Sequence, residues 1–114
     1  MIAVIFELTA APGRRQEYLD LAAGLADDVK SFDGFISIER FQSLADPEKV
    51  VSISFWRDEE SVRKWRNLQK HREAQAKGRG GVFKSYRLRV AQVLRDYTHD
   101  QRGQVPEDSR KVHG

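Results

Sequence analysis

The sequence contains no cysteine among its 114 residues. Disulfide bonds and thiol catalysis are therefore excluded. Histidine and proline are also scarce, with three of each. His99 and His113 lie in a polar segment without the spacing to acidic residues that a metal site requires. No acidic pair or nucleophile motif stands out elsewhere in the chain, so the sequence predicts no metal ligands.

The charge of the chain is nearly balanced. There are 20 Lys and Arg residues against 17 Asp and Glu residues, which gives a net charge of +3 and a pI of about 9.4. Such a small and scattered excess does not indicate a nucleic-acid partner. The first residues, MIAVIFEL, lack both a basic leader and a long apolar run. We therefore expect a cytoplasmic protein that does not contact a membrane.

The length and composition are typical of one domain with a modest core, because 39% of the residues are hydrophobic and 10% are aromatic. We expect this domain to span residues 1–95. Residues 96–114 are polar, and only Tyr97, Val105 and Val112 are apolar enough to anchor them. This segment is expected to be a tail or an arm.

Hydrophobic periodicity predicts the order of the secondary-structure elements. Strands alternate with period two, and helices repeat every three or four residues. The predicted elements are a strand at 2–8, a helix from about 14 to 31, a hairpin of strands at 35–41 and 50–56, a second helix after Asp58, and a last strand at 82–94. This order predicts a ferredoxin-like α+β fold, βαββαβ, in which both helices cover one face of a four-stranded antiparallel sheet.

The strands are apolar on both faces, although two helices can cover only one. In the expected alignment, one face carries Ala3, Ile5, Ile36, Ile38 and Trp56, and the other carries Val4, Phe6, Phe35, Phe41 and Phe55. An uncovered apolar face of this size would favour aggregation. The sequence therefore predicts a homodimer in which the two sheets meet face to face.

The second helix has two interpretations. On one uninterrupted helix, His71 would lie about 100° or more away from Trp65 around the helix axis. A break at Asn67 would instead place Leu68, His71 and Gln75 on a common inward stripe. We expect the break.

Several short segments, together with the element order, carry a resemblance to a known family. They are Gly34-Phe35, ERFQS at 39–43, SFWRDEE at 54–60, Trp65-Arg66, His71-Arg72 and Ala74-Gln75. Over residues 1–95 the chain resembles the antibiotic biosynthesis monooxygenase (ABM) family of dimeric α+β barrels. This resemblance is specific for the fold and less so for the chemistry.

The resemblance implies a pocket in each subunit between the helices and the sheet. There, a small aromatic or polyketide-like substrate would react with oxygen without a metal, a flavin or any other cofactor. Such a cofactor-independent monooxygenase needs an apolar cavity, a proton acceptor and a group that stabilises an oxyanion. The alternative is a non-catalytic dimer of the same fold that binds a small ligand or is associated with stress.

The resemblance also assigns candidate site residues. Trp65 matches a tryptophan of the family cavity, and His71 is the candidate base because its reference pKa is near neutrality. Arg87 could hold an oxyanion. From the pattern alone, however, Trp65 also fits a core position and His71 a surface position. The remaining candidates for substrate binding are Ser61, Leu68, Gln75 and Phe83.

Departures from the family patterns narrow the expected chemistry. The quinone-forming branch has an asparagine one helical turn before the tryptophan, where this chain has Ser61. The haem-degrading branch uses an asparagine on the first strand and an axial histidine after the tryptophan. Here Asn67 is the only asparagine, and Gln75 occupies the axial position. Haem degradation is therefore disfavoured.

Overall fold

The computed structural model describes residues 1–77 and 81–113, and the side chains of residues 69–77 and 113 lie outside this description. Four antiparallel strands form one sheet in the order β2-β3-β1-β4. The predicted ferredoxin-like fold is thus confirmed. The elements are β1 (Ile2–Ala10), α1 (Arg15–Lys30), β2 (Phe35–Gln42), β3 (Lys49–Trp56), α2 (Glu59–Lys77), β4 (Phe83–Gln92) and α3 (Glu107–His113).

Two apolar clusters fill the space between the sheet and its helices. The tryptophan cluster consists of Ile2, Val29, Trp56, Val62 and Trp65, with Phe32 packed against it. The tyrosine cluster consists of Leu8, Tyr18, Ala22 and Val50, with Phe6 and Phe83 packed against it. Because α1 contributes to both clusters, it spans the sheet lengthwise, whereas the described side chains of α2 contribute only to the tryptophan cluster.

The prediction that both faces of the sheet are apolar holds, but the expected assignment of side chains to faces was partly wrong. Ile38 and Trp56 lie on the helix-facing side with Val4. Phe55 precedes Trp56 and pairs with Ala3, which precedes Val4. Because neighbouring residues of a strand point to opposite faces, Phe55 faces the open side. A shift in register between Phe35 and Ser37 is the physical reason on β2, because a bulge there changes which residues point toward the helices.

The expected break at Asn67 is also wrong, since α2 runs without interruption from Glu59 to Lys77. Its start is well defined: the Asp58 carboxylate accepts the backbone N–H of Ser61 at 2.8 Å. Asn67 lies on the exposed side of the helix, where one residue of moderate helix propensity costs only a few tenths of a kcal/mol, roughly, and does not end the helix. No helix in the described part of the chain is long and apolar enough to cross a membrane.

The polar C-terminal segment contains local structure that the sequence did not predict. The helix α3 spans Glu107–His113, and the Arg110 side chain within it donates a 2.8 Å hydrogen bond to the carbonyl of Arg102, which precedes the helix. Val105 is buried, with 8% of its surface exposed. The radius of gyration is 16.8 Å, against about 13 Å for a compact domain of this length. The segment therefore adds to the extent of the molecule, and its role as an arm stays a prediction.

A polar network joins the end of α1, the start of β2 and the start of α2. The Ser61 hydroxyl donates to Asp58 at 2.7 Å, and Arg57 bridges Asp33 at 3.1 Å and Asp58 at 3.0 Å. The bonds from Ser61, followed by the Arg57 guanidinium, hold the pKa of Asp58 well below its usual range. Arg57 likewise lowers the pKa of Asp33, mainly by a side-chain hydrogen bond. These carboxylates stay ionised and hold the start of α2 in place.

Gly34 lies at the closest point of this junction. Its φ is +88°, and a Cβ atom built on it would overlap with the hydroxyl oxygen of Ser61. The Gly34 carbonyl also accepts the backbone N–H of Arg57 at 2.8 Å. Only glycine combines this backbone conformation with such a close approach. The residue thus lets the first turn of α2 pack directly on the start of β2.

Replacing Gly34 with alanine is expected to lower the free energy of unfolding by more than about 1 kcal/mol, because the left-handed backbone and the overlap with Ser61 both oppose a side chain. Urea denaturation measures the change. Gly24→Ala is the matched control, since Gly24 lies within α1 and nothing approaches its Cβ position. That variant should gain about 0.5–1 kcal/mol. Equal effects of the two substitutions would contradict the role of the junction.

Candidate functional site

An apolar strip on the helix-facing side of β4 is left uncovered by the described residues. The strip consists of Tyr86, Leu88 and Val90, which pair with Leu8, Phe6 and Val4 of β1. The three side chains are 68%, 51% and 44% exposed, although their partners on β1 are covered or partly covered. A contiguous apolar surface of this kind, next to a packed core, is typical of a ligand-binding groove.

Aromatic rings connect the strip to the tyrosine cluster. Phe6 lies 5.8 Å from Tyr86 and 5.9 Å from Phe83, measured between ring centroids. Phe83 in turn lies 5.6 Å from Tyr18 in an edge-to-face arrangement. The rings range from the buried Tyr18 to the exposed Tyr86. A flat ligand placed on the strip could therefore contact ring faces and edges that are held by the core.

The structure places Trp65 in the tryptophan cluster and Ser61 in the polar network at the start of α2. Trp65 is 9% exposed, and its ring lies 5.4 Å from Phe32 and 6.2 Å from Trp56. Ser61 is 3% exposed, and its hydroxyl is bonded to Asp58. Both residues therefore form part of the packed structure at the tryptophan cluster. Leu68, one turn further along α2, is 41% exposed.

Phe83 and Arg87 lie on different faces of the sheet. Phe83 packs with the tyrosine cluster on the helix-facing side. Arg87 is in register with Glu7 on the open side, and the Glu7 carboxylate there lies 3.2 Å from Arg89 and 3.7 Å from Lys49. The structure therefore does not bring Arg87 and Trp65 together in one chain. The alternation of β4 contained this signal, because Tyr86 and Leu88 flank Arg87.

The proposed base and one proposed binding residue lie in the second half of α2. His71 and Gln75 belong to the continuous helix α2, but their side chains lie outside the described residues. Six residues of an unbroken helix separate positions 65 and 71 by about 120° around the axis. Leu68, His71 and Gln75 still share one stripe of this helix, but the stripe is turned away from Trp65, so the expected common inward surface is not formed.

The open face of the sheet holds a separate hollow of about 580 Å³. It lies over β2 and β3 and opens away from the helices, so it is not the pocket between helices and sheet that the resemblance implies. Most of its surface is apolar, and among the residues that the structure describes Glu39 has no ion pair. The lining includes Ser37, Glu39, Phe41, Ile53 and Phe55.

Sequence reasoning missed three residues of the helix-facing side. Phe6 and Tyr86 form the aromatic part of the strip, and their spacing from other aromatics along the chain gives no hint of this contact. Arg40 of β2 is in register with Ser52 of β3, and both positions face the helices. Its Nε atom is enclosed and has no hydrogen-bond partner within the described part of the structure. Such a group is visible only in three dimensions.

Comparisons with known proteins agree with this architecture. Residues 1–77 match the profile of the family described as antibiotic biosynthesis monooxygenase. The chain is 46% identical over 93 residues to a protein of Pyricularia oryzae named jasmonate monooxygenase ABM, and 34% identical over 62 residues to the uncharacterized protein YqjZ of Bacillus subtilis. The matched segments are 82% and 54% of this chain, and 43% and 53% of those relatives, so the chain spans about half the length of the curated relatives it matches.

The fold is similar to that of a solved oxygenase. A variant of SnoaB, described as a cofactor-independent oxygenase from Streptomyces nogalater, superposes with a TM-score of 0.67 over 83% of this chain and 94% of that protein. Its sequence identity of 13% makes this a likeness of fold alone. The family match over residues 1–77 and the 46% identity to the Pyricularia oryzae protein show that the chain belongs to the antibiotic biosynthesis monooxygenase family.

Proposed function

We propose that this chain is a monooxygenase-type protein that binds a small ring-containing substrate against the strip of Tyr86, Leu88 and Val90. The observation that carries the proposal is the exposure of these three apolar side chains beside the ring of Phe6, on the side of the sheet that holds the helices. Family membership supplies the reaction type. The proposed substrate is a small aromatic or polyketide-like molecule.

The proposed reaction needs no cofactor if the substrate itself supplies the electrons. Loss of a proton from an activated C–H or O–H group yields an anion that can donate an electron to oxygen. Conversion of a CH₂ group to a carbonyl then consumes one O₂ and releases one water, so no external reductant is needed. In such a reaction the protein positions the substrate, excludes water and accepts the proton.

The proposed reaction also needs a base that accepts the substrate proton. His71 is retained as the candidate because imidazole titrates near neutral pH. Ser61 and Trp65 would act indirectly, because both are buried in the packed start of α2. Arg87 would meet an anion only on the open face of the sheet, and it is therefore not assigned to the strip.

The name of the Pyricularia oryzae relative suggests the first substrate to test. That protein is called a jasmonate monooxygenase, and its matched segment covers most of this chain. Jasmonate is a small cyclic ketone that carries an apolar side chain and a carboxylate, and its ring and apolar chain suit an apolar strip with ring contacts. Phenols and hydroquinones form the second group of candidates because they are easily deprotonated and oxidised.

Oxygen uptake should accompany turnover of a true substrate, and the product mass should report the incorporated oxygen. If His71 is the base, His71→Ala is expected to lower kcat by about 10²-fold or more, because general-base catalysis contributes on that order. His99→Ala is the control, since His99 lies in the C-terminal segment with 93% of its side chain exposed. Unchanged turnover in His71→Ala would refute the base assignment.

Substitutions in the strip test where the ligand binds. Tyr86→Ala should weaken binding about tenfold, because roughly 50 Å² of lost apolar contact corresponds to about 1.4 kcal/mol. Isothermal titration with the ligand found in the uptake screen measures the change. Ser85→Ala is the matched control, since Ser85 is the neighbouring residue on the other face of β4. Equal affinity in both variants would place the ligand elsewhere.

The second candidate function is a non-catalytic dimer that binds a ligand. It is favoured by the burial of Trp65 and Ser61, which leaves few polar groups for chemistry among the described side chains of the helix-facing side. Saturable binding without oxygen consumption, across jasmonate and the phenol and hydroquinone groups, would support this function over the monooxygenase.

We also propose that the chain forms a homodimer through the open face of the sheet. Phe41 is 44% exposed there, and Ile53 and Phe55 lie beside it in the hollow. The charges suit a second copy of the same face: Glu39 lies on β2, and Arg87 lies on β4 at the other edge. A two-fold axis parallel to the strands would bring the β2 edge of one copy over the β4 edge of the other.

Ile53→Glu is expected to convert the proposed dimer to a monomer, because it places a charge in the centre of the apolar contact. Sedimentation velocity at micromolar concentration measures the change. Leu44→Glu is the control, since Leu44 is fully exposed in the loop between β2 and β3. A wild-type protein that sediments as a monomer would contradict the proposed interface.

A further inference from the structure

Arg40 is a cation without a counter-ion in the described part of the structure. It lies on β2 in register with Ser52 of β3, on the side that faces the helices. The residue is partly buried, and its Nε atom is enclosed without a hydrogen-bond partner among the residues that the structure describes. Enclosing a charged donor without a partner costs free energy, so such a group in a folded protein requires an explanation.

The surroundings of Arg40 form a short polar seam between the two apolar clusters. Ser52 and Ser54 are only 8% and 7% exposed. Ser54 accepts a hydrogen bond from the indole N–H of Trp56 at 2.9 Å. The Ser52 hydroxyl has no such partner among the described residues. In register, the row continues from Arg40 through Ser52 to Phe6, and then to Leu88 of the strip.

None of the ion pairs that the described residues form joins Arg40 to a carboxylate of α1, the helix that packs over β2. Glu17 pairs with Arg14 at 2.7 Å, and Asp20 accepts a hydrogen bond from Gln16 at 3.0 Å. Asp27 lies 4.0 Å from Lys30, and Asp28 also takes part in an interaction. Glu39 adjoins Arg40 in sequence but belongs to the opposite face. Within the described residues, Arg40 thus forms no ion pair with any of these carboxylates.

We infer that Arg40 binds the carboxylate of a small ligand, with the Ser52 hydroxyl as a second donor. A guanidinium matches the planar geometry of a carboxylate, and a charge-assisted bond of this type is about twice as strong as a neutral one. The apolar remainder of the ligand would lie along the same row toward Phe6 and Leu88. The inference rests on the proposed function only in taking the ligand to be the substrate.

A binding role and a structural role of Arg40 have opposite effects on the stability of the free protein. A structural arginine should stabilise the fold, so its loss should lower the melting temperature. An arginine whose partner is a ligand lowers the stability of the free protein, because its buried donor then has no partner. Arg40→Met removes the charge and keeps an unbranched apolar chain, so the free variant should melt no lower than the wild type.

The direct experiment observes the Nε–H group of Arg40 by ¹⁵N NMR in the full chain. The Arg40→Lys variant assigns the signal, because that variant lacks it. Two pairs of probes are titrated: jasmonate with its methyl ester, and benzoate with benzamide. Each pair keeps the ring and changes only the carboxylate. The Arg40 signal should shift saturably with jasmonate and benzoate, and little with their neutral partners.

Binding measurements on the same probes give the expected magnitude. Arg40→Met should bind the carboxylates at least about tenfold more weakly, since losing a charge-assisted bond costs about 1.5 kcal/mol or more. Its affinity for the neutral partners should be unchanged. Arg95→Met is the matched control, because Arg95 is exposed beyond the end of β4 and should leave both affinities at the wild-type value.

The outcomes separate this inference from the proposed function. A saturable shift without oxygen consumption would support the carboxylate site and count against the monooxygenase. Turnover with no response of the Arg40 signal to either carboxylate would overturn the site and leave the monooxygenase intact. Glu73→Gln is a further variant that tests for an internal partner of Arg40, because the Glu73 side chain lies outside the described residues. If that substitution alone moves the Arg40 signal, an internal partner replaces the ligand and the inference fails.

Discussion

The tryptophan cluster is the contact on which the rest of the structure depends. It joins Val29 of α1, Trp56 of β3 and Trp65 of α2 into one packed unit. The junction at Gly34 and the cap from Asp58 hold the start of α2 against this unit. Because α2 is anchored at its beginning, its direction is set there. Within the described residues, the helix-facing side of β4 remains uncovered, and this leaves the strip available for a ligand.

The two faces of the sheet are suited to different partners, and adjacent residues of one strand serve both. Phe6 contacts the ring of Tyr86 on the helix-facing side, whereas its neighbour Glu7 pairs with Arg89 and Lys49 on the open side. Because successive side chains point to opposite faces, a ligand and a second copy of the chain need not compete. The proposed site and the proposed interface are thus separated by the thickness of the sheet.

The polar groups of the helix-facing side explain why the two apolar clusters do not merge. The apolar surface of β2 and β3 is interrupted between the two clusters by Arg40, Ser52 and Ser54. A continuous apolar core would be more stable, since buried polar groups without partners cost free energy. Retaining a cation at this position is consistent with a role in recognition, in which the cost in the free protein is offset when an anionic ligand binds.

The sequence by itself determined the order of the elements, because periods of two and of three to four residues reflect local backbone geometry. The start of α2 was also predictable, because acidic residues in a first helical turn are a local signal. Only the tertiary structure decided which residues share a surface. Alternation sets the phase within one strand, but neighbouring strands are aligned by pairing and by the bulge beside Ser37. Hence Arg87 and Trp65, which the family resemblance assigned to one site, lie on opposite faces of the sheet. Arg40 could be recognised only from the residues that surround it.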